Sequence, residues 1–261
     1  MAARLFNARF FNARFAALAL VCAAGLSAGC STAPVVKGEQ EEPTVFAADR
    51  ILQPGVTYSA DVYDPWQGFN RRVYYFNAVV DKHFLLPLSN GYKTVTPAPV
   101  RRSITNFFDN FLNLNTLLNS MLQLSPKKTA ATAGRLVVNS TLGIGGLFDP
   151  ASKMGIPQEQ EDFGQTLGRW GVGPGPYLVL PLLGPSSLRD GVGAGVDWYV
   201  NTRLREEIFA LETWQEWTWT GVYVLNLRAN LGFRYYETGT PFEYRMVRML
   251  YTTKRRLDIE R

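Results

Sequence analysis

The hydrophobic pattern is clearest between Arg101 and Leu124, where apolar residues recur at the three- and four-residue intervals of an α-helix. The apolar face consists of Ile104, Phe107, Phe108, Phe111, Leu114, Leu118, Met121 and Leu122. The opposite face carries Asn106, Asn110, Asn113 and Ser120, and Asp109 is the one charged residue between Ser103 and Leu124. A surface helix of a soluble protein normally carries charge on its wet side. We therefore expect this helix to lie in a membrane interface or to line a polar cavity; a core helix packed on two sides is the alternative.

A second helix is predicted over residues 68–86. Phe69, Val73, Phe76 and Val80 follow helical spacing, and the pair Asp64-Pro65 ahead of them is a typical helix start. This helix is expected to be the first element of the folded part of the chain.

Residues 139–195 hold thirteen of the 23 glycines. They match neither the G-x-G-x-x-G nor the Walker spacing of phosphate-binding loops, so tight turns and close backbone packing are the better interpretation. Within this region the stretch 176–184 is apolar and flanked by prolines, which predicts a short, buried, extended segment.

Aromatic and basic residues dominate the last third of the chain. Trp198, Trp214, Trp217 and Trp219 are suited to the headgroup level of a bilayer, and they are equally suited to an aromatic core. The arginines and lysine of residues 245–256 are interpreted either as a solvated helix face or as a contact for lipid phosphates.

The first thirty residues read as an export signal. Arg4, Arg9 and Arg14 form a positive region, an apolar run of residues 15–26 follows, and small residues then lead to Cys30. This arrangement is similar to a bacterial lipobox, in which the cysteine is lipidated and becomes the mature N-terminus. An ordinary secretory signal with Cys30 as a free thiol is the alternative.

The chain is expected to divide into four parts. These are a signal peptide (1–29), a lipidated N-terminus with a polar tether (30–60), one folded domain (61–255) and a short C-terminal tail (256–261). No run of eighteen uncharged apolar residues occurs, so no conventional membrane-spanning helix is predicted.

Composition excludes several classes of protein. The formal charge of +5 falls to +2 when the three signal arginines are removed, which argues against a nucleic-acid-binding surface. One histidine and two cysteines are too few for a closed zinc site, and nothing in the pattern calls for a cofactor.

No catalytic constellation is evident, and we do not expect an enzyme. The single histidine, His83, has no nucleophile pattern beside it, and the G-x-S-x-G elbow of lipases is absent. The acidic group of Glu159, Glu161 and Asp162 is typical of a solvated loop.

Three ordered blocks of sequence carry a family resemblance. They begin with Asp64-Pro-Trp-Gln-Gly-Phe-Asn-Arg71, continue with Asn139-Ser-Thr-Leu-Gly-Ile-Gly-Gly-Leu-Phe-Asp-Pro-Ala151, and end with Asp162-Phe-Gly-Gln-Thr-Leu-Gly-Arg-Trp-Gly171 together with Leu188-Arg-Asp190. In this order they resemble the MlaA (VacJ) family of outer-membrane phospholipid-transport lipoproteins. The motif positions are Asp64, Pro65, Gly68, Phe69, Asn70, Arg71, Gly143, Gly146, Asp149, Phe163, Gly164, Leu167, Gly168, Arg189 and Asp190.

The resemblance implies a mainly α fold: a single membrane-embedded helical ring with short extended segments and glycine-rich turns. It also implies a lipoprotein anchored through Cys30 at the periplasmic face of the outer membrane. Such a protein removes misplaced phospholipids from the outer leaflet and passes them to a periplasmic carrier of the MlaC type while bound to a trimeric porin. A structural lipoprotein that braces a porin without moving lipid is the alternative.

The resemblance also assigns the two faces of the 101–124 helix. Ile104, Phe107, Phe108, Phe111, Leu118 and Met121 are expected to face lipid, and Asn106, Asn110 and Asn113 the channel. We therefore expect charged residues at Phe107 and Phe111 to impair membrane seating more than folding. The family often has a proline where Leu114 stands and a glycine where Leu124 stands, so a straighter helix is expected here.

Overall fold

Helices account for most of the chain in the computed structural model, which describes residues 62–237 and 242–261. The predicted signal, Cys30 and the tether lie outside the described residues. In chain order the larger helices are α1 (Gln67–Val80), α2 (Leu86–Val95), α3 (Ala98–Leu122), α4 (Pro126–Thr141), α7 (Leu188–Phe209), α8 (Thr213–Asn230) and α9 (Glu243–Glu260). Between α4 and α7 lie the short helices α5 (Pro150–Lys153) and α6 (Phe163–Arg169) and the strands β1 (Tyr177–Leu180) and β2 (Gly184–Ser187). The prediction of a mainly α fold with short extended segments is therefore confirmed.

The first predicted helix is longer than expected. Helix α1 continues through one π-helical turn, Asp81–Leu85, into α2, so helical backbone extends to Val95. Asp81, the first residue of the π turn, continues the buried face of α1 formed by Val73 and Asn77, and Arg228 of α8 pairs with it. Of the apolar residues that predicted this helix, Val73 is buried, whereas Phe69 and Phe76 are exposed.

Helix α3 is continuous from Ala98 to Leu122, and Leu124 ends it in the left-handed conformation with φ of 52°. The Leu124 amide donates to the Met121 carbonyl and the Ser125 amide to the Ser120 carbonyl, which is the Schellman pattern. Glycine is the usual residue at this position. In this chain a leucine adopts the conformation that glycine usually takes.

The glycines of α6 and α7 allow two helices to touch through their backbones. A β-carbon on Gly193 would overlap the amide nitrogen of Gly164 and lie 2.7 Å from its α-carbon. A β-carbon on Gly164 would in turn lie 2.7 Å from the carboxylate of Asp190. Close backbone packing was the predicted role of this glycine-rich region, and it holds at these positions.

The predicted extended segment forms an antiparallel hairpin in which Tyr177 pairs with Ser187 and Leu180 with Gly184. Tyr177 and Val179 are buried and join Val73, Tyr74 and Tyr244 in a small aromatic core. Leu182 and Leu183 at the turn are exposed. Burial was therefore predicted correctly for the strand but not for its turn.

Polar side chains outnumber apolar ones in the interior. Among the described residues, 25 polar or charged side chains are buried against ten hydrophobic ones, and 40 large hydrophobic side chains are exposed. Soluble proteins show the opposite preference. None of the described helices has the length and apolar character needed to cross a membrane.

Candidate functional site: a polar cavity behind helix α3

The amide face of α3 points inward, and its three predicted channel residues have different surroundings. Asn106 donates to the carbonyl of Leu147 at 3.3 Å, and Asn110 donates to the hydroxyl of Ser140 at 3.1 Å. Both amides therefore attach α3 to the end of α4 and the loop that follows. Only Asn113, which is 3% exposed, lines a cavity.

This cavity has a volume of about 550 Å³, and all but one of its lining residues are polar or charged. Helices α3, α6 and α7, the loop of residues 158–162 and the end of α9 form it, and Leu112 is its one apolar lining residue. Such a space is large enough for the polar part of a small amphiphile.

Ion pairs neutralise most of the charge at the cavity. Lys128 pairs with Glu161 at 2.6 Å, and Arg255 pairs with Asp162 at 2.6 Å. The side chains of Lys128 and Arg255 are only 10% and 13% exposed. At the exposed rim, Lys254 pairs with Asp258 and Arg261 with Glu159. Of the acidic group that predicted a solvated loop, Glu161 is buried, whereas the Asp162 side chain is 40% exposed.

Two lining carboxylates have no cation within ion-pairing distance among the described residues. Asp197 accepts hydrogen bonds from the amides of Asn115 at 2.8 Å and Asn119 at 3.2 Å and from the Phe163 backbone at 3.0 Å. Burial nevertheless raises the pKa of Asp197 above its usual value. Burial likewise raises the pKa of Asp109, whose hydrogen bond with Gln158 opposes the shift.

The apolar face of α3 is divided between an interior cluster and the surface. Phe108 and Phe111 are buried against Trp219 of α8, at ring-centroid distances of 5.1 and 5.2 Å. The prediction that these two rings face lipid is therefore wrong, because α8 covers this part of the helix. Leu118 and Met121, beyond that contact, are exposed.

Ile104 and Phe107 are neither buried, as Phe108 and Phe111 are, nor fully exposed to the surroundings. They are half-buried at an apolar groove of about 390 Å³ between α3 and α8, where Trp214 and Trp219 face them. Four tryptophans were expected to lie either at the headgroup level of a bilayer or in an aromatic core. Trp219 belongs to the aromatic cluster, whereas Trp198, Trp214 and Trp217 are exposed.

Asp64, in the first motif block, is the centre of a buried hydrogen-bond network. Its carboxylate accepts from Asn70 at 2.7 Å, from the Tyr244 hydroxyl at 2.6 Å and from Arg248 at 2.9 Å. Arg71 stacks over the Tyr244 ring at 4.6 Å. The block therefore attaches the start of α1 to the C-terminal helix α9.

The remaining residues of this block have less contact with the fold. Pro65 and Phe69 are exposed, and a β-carbon on Gly68 would meet nothing within 4 Å. Their role is not explained by packing within the described chain.

Asn70 also attaches the β1–β2 hairpin to α1 through hydrogen bonds. Its amide donates to the Tyr177 carbonyl at 3.0 Å and accepts from the Val179 amide at 2.9 Å, as a neighbouring strand would. Asn77, two helical turns further on, bonds Leu180 and Leu182 in the same way. Two asparagine side chains thus replace a third strand at the β1 edge.

Substituting Asn70→Asp should lower the free energy of unfolding by about 2 kcal/mol, because the new carboxylate loses the donors to Asp64 and Tyr177 and is left partly unpaired. Thermal unfolding in detergent micelles, followed by circular dichroism, measures the effect. The matched control is Asn90→Asp at an exposed site on α2. Equal melting temperatures for the two variants would contradict the pinning role.

In the second block, Asp149 connects three chain segments. It caps α5 through Ser152, pairs with Arg135 at 2.8 Å and accepts from Asn139 at 3.0 Å. Burial alone would raise the pKa of Asp149, but the Ser152, Arg135 and Asn139 hydrogen bonds outweigh it and hold it at about 2. Gly143 and Gly146 are both buried, and Gly146 lies against Asn110 of α3 with φ of 91°.

In the third block, Asp190 is a second ionic centre. It pairs with Arg189 at 3.0 Å and Arg255 at 2.9 Å and accepts from the Tyr251 hydroxyl at 2.8 Å. Burial would raise the pKa of Asp190, but the Arg255 bond and charge, with the Tyr251 and Ser187 bonds, hold it at about 2.

The other residues of the third block hold α6 in place. The Phe163 amide donates to Asp197, and its ring packs edge-on against Trp170. Gly168 lies against Ile259 of α9, and Leu167 is half-buried. The block therefore places α6 between α7 and α9, on one side of the cavity.

Sequence reasoning missed the inner face of α9. Tyr244, Arg248, Tyr251 and Arg255 recur at intervals of four, three and four residues, which is a helical stripe. Arg248 and Arg255 make internal ion pairs, so they are neither a solvated face nor free contacts for phosphate. The alternation of tyrosine and arginine on one face was the signal that could have shown it. The described residues contain no group of histidine, cysteine and acidic side chains arranged to hold a metal.

Comparisons with known proteins agree on one family. A family model described as MlaA lipoprotein matches residues 62–258. An uncharacterised protein of Rickettsia felis is 48% identical over 130 residues, which is 50% of this chain and 52% of the relative. The intermembrane phospholipid transport system lipoprotein MlaA of Escherichia coli K12 is 37% identical over 141 residues, 52% of this chain and 56% of that protein. The aligned part of the chain thus spans about half the length of these relatives.

A solved structure from work on the structural basis for maintenance of bacterial outer membrane lipid asymmetry has the same fold. It superposes with a TM-score of 0.60 at 28% identity, and the match covers 76% of this chain and all of that one. With a family model matching most of its folded part, the chain belongs to the MlaA lipoprotein family.

Proposed function

We propose that this protein is a membrane-seated helical ring that removes misplaced phospholipids from the outer leaflet of the outer membrane. In this proposal it is anchored through Cys30 at the periplasmic side, sits beside a trimeric porin and passes the lipid to a periplasmic carrier of the MlaC type. The observation that carries the proposal is the inverted polarity of the described chain, with polar side chains inside and 40 large hydrophobic side chains outside.

Inverted polarity suits this task for an energetic reason. Taking both acyl chains of a phospholipid into water exposes about thirty methylenes, on the order of 20 kcal/mol at about 0.8 kcal/mol each. A protein that keeps the acyl chains in lipid while a polar cavity takes the head group avoids that cost. The exposed apolar surface serves the first requirement and the cavity behind α3 the second.

The relatives support the assignment to lipid transport. The Escherichia coli and Haemophilus influenzae proteins, 37% and 33% identical over their aligned parts, are both intermembrane phospholipid transport system lipoproteins. Transport leaves the phospholipid intact, so we propose a non-enzymatic role.

Membrane seating should depend on the exposed part of α3 and not on its buried part. In a Cys30→Ser background, where attachment rests on the protein body alone, Met121→Lys should lower co-flotation with lipid vesicles about tenfold, because a lysine facing lipid costs on the order of 1–2 kcal/mol. Its melting temperature in detergent should stay unchanged, since Met121 is 54% exposed. Phe111→Lys should instead lower the melting temperature, since Phe111 is 7% exposed. Equal loss of folded protein in both variants would show that α3 is a core helix throughout.

The function is tested by labelling outer-leaflet phospholipid in intact cells. A deletion strain with its porins intact should accumulate phospholipid in the outer leaflet, and the wild-type chain should restore the normal level. A deletion strain with normal outer-leaflet phospholipid but reduced porin trimer stability would instead support a brace. Lysophospholipid or free fatty acid released by the purified chain would contradict the non-enzymatic role.

A further inference from the structure

The cavity wall carries an unpartnered amide. Asn113 is 3% exposed and lines the cavity, and its side chain makes no hydrogen bond with the residues that the structure describes. Its amide atoms remain accessible from the cavity. A ligand that enters the cavity can therefore bond Asn113 without displacing a protein partner.

A second unpartnered group lies in the same wall. Glu161 is 6% exposed and uses one carboxylate oxygen for Lys128, whereas its other oxygen, Oε2, has no hydrogen-bond partner in the described chain. This oxygen is an acceptor, as are the carboxylates of Asp109 and Asp197. The wall therefore offers acceptors in excess of donors.

The balance of charge at the cavity is negative. Six lining residues are acidic and three, Lys254, Arg255 and Arg261, are basic. Each of these three cations already pairs with a lining acid, and Lys128 neutralises Glu161 from behind the wall. Asp109 and Asp197 remain without a cation.

From these observations we propose that the cavity selects phospholipids whose head group carries a primary ammonium, the chemistry of phosphatidylethanolamine. The ammonium would lie against Asp109 and Asp197, with the amide oxygen of Asn113 as a further acceptor. Rim residues Lys254 and Arg261, which are exposed, would face the phosphate. The inference rests on the proposed function and adds a head-group preference to it.

The wall distinguishes three head groups by charge and hydrogen bonding. A primary ammonium donates three hydrogen bonds and meets acceptors on this wall. A choline head group has the same charge but donates none, and proteins bind it with aromatic cages. None of the sixteen lining residues of the described cavity is aromatic. A glycerol head group lacks the positive charge and leaves both carboxylates unpaired.

Burial of Asp109 and Asp197 supports this selection. Burial raises the pKa values of both carboxylates, although hydrogen bonds from neighbouring groups oppose the shift. A charge-assisted hydrogen bond from an arriving ammonium stabilises the ionised form of each.

The test is a binding comparison on the full chain in detergent micelles, by native mass spectrometry. The probes are phosphatidylethanolamine, phosphatidylcholine and phosphatidylglycerol with identical acyl chains. We expect the ethanolamine lipid to bind about tenfold more tightly than the other two, as one charge-assisted hydrogen bond predicts. If the wild-type chain binds the three lipids with equal affinity, the proposal is wrong.

Two variants assign the preference to the cavity. Asp109→Asn and Asp197→Asn should each reduce the preference for the ethanolamine lipid to less than about threefold. Asp109→Asn is the cleaner of the two, because Asp197 also holds Asn115, Asn119 and Phe163 and its replacement can disturb folding. The matched control is Glu206→Gln, which removes one negative charge from the exposed side of α7. A preference that survives Asp109→Asn unchanged in a folded protein would place the selection elsewhere and overturn the assignment.

A competition experiment shows whether the cavity binds a lipid or a water-soluble ligand. Glycerophosphoethanolamine should displace phosphatidylethanolamine only at large excess, because it lacks acyl chains. Displacement at equal concentration would show that the cavity serves a soluble ligand and would overturn the lipid assignment. The proposed function is tested separately: it is wrong if the deletion strain has a normal amount of phospholipid in the outer leaflet. If phospholipid accumulates there but the purified chain shows no head-group preference, only the inference about head-group selection is wrong.

Discussion

Replacing Arg255 with methionine should lower the free energy of unfolding by about 3 kcal/mol, because two carboxylates lose their shared cation. Arg255 reaches Asp162 at 2.6 Å and Asp190 at 2.9 Å, and Asp190 is buried. The guanidinium is thus the link that attaches α9 to both α6 and α7. In a chain of this size the loss corresponds to a melting temperature lower by roughly 6–12 °C.

The neighbouring residue provides the control for Arg255→Met. Lys254 pairs with Asp258 one turn further along α9, and its side chain is 73% exposed. Lys254→Met removes the same charge from an exposed pair, for which a change below about 1 kcal/mol is expected. Thermal unfolding of both variants in detergent micelles, followed by circular dichroism, measures the two losses of stability. Similar melts would mean that the buried ionic centre does not hold the helices together.

The same ionic centre should make stability depend on pH. The pKa of Asp190 in the folded protein is about 2, below its ordinary value of 3.8. A carboxylate with a depressed pKa contributes stability above its unfolded pKa and loses it as pH falls through the folded pKa. The wild type should therefore lose on the order of 2 kcal/mol from Asp190 between pH 4 and pH 2. Arg255→Met, which already lacks that pairing, should lose less over this interval.

Substituting Gly193→Ala should cost about 3 kcal/mol, because the new methyl group would overlap the backbone of Gly164 and force α6 and α7 apart. Neither contacting atom belongs to a flexible side chain that could turn away. Since Phe163 and Asp197 join the same two helices beside the cavity, we also expect weaker phospholipid binding.

Gly195 on the same helix is the matched control for Gly193→Ala. A β-carbon there would meet nothing within 4 Å. Gly195→Ala should stabilise the protein by about 0.5–1 kcal/mol, because alanine favours helical backbone more than glycine does. Melting temperatures that move in opposite directions would confirm that contact between helices, and not helix propensity, governs Gly193. A destabilisation shared by both variants would contradict it.

Helix α3 shows how far periodicity predicts structure. The spacing of apolar and amide residues predicted both the helix and the burial of its asparagines, since both follow from local geometry. It could not distinguish Phe108 and Phe111 from Leu118 and Met121, because all four lie on one face. The difference is made by α8, a helix about a hundred residues further along the chain, whose Trp219 covers only the first pair.

The candidate site shows the same limit. Asn113 was predicted to face a channel and lines the cavity, whereas Asn106 and Asn110 bond the region of residues 140–147 instead. Asp197 was not predicted, and Arg255 was predicted as a solvated or phosphate-binding residue and not as an internal ion-pair partner. The partners of both residues lie 34 or more positions away in the sequence.

Local spacing and ordered motifs were enough to predict the helices over residues 68–86 and 101–124, a short extended segment at 176–184, close packing in the glycine-rich region and the family resemblance. Which polar residues come into contact could be seen only in the folded chain. The carboxylates of Asp64, Asp162 and Asp190 all pair with arginines of α9, far away in the sequence. Charge pairing has no fixed separation along the chain, unlike helical or strand periodicity. For this reason the polar interior and its cavity could not be predicted from the spacing of residues in the sequence.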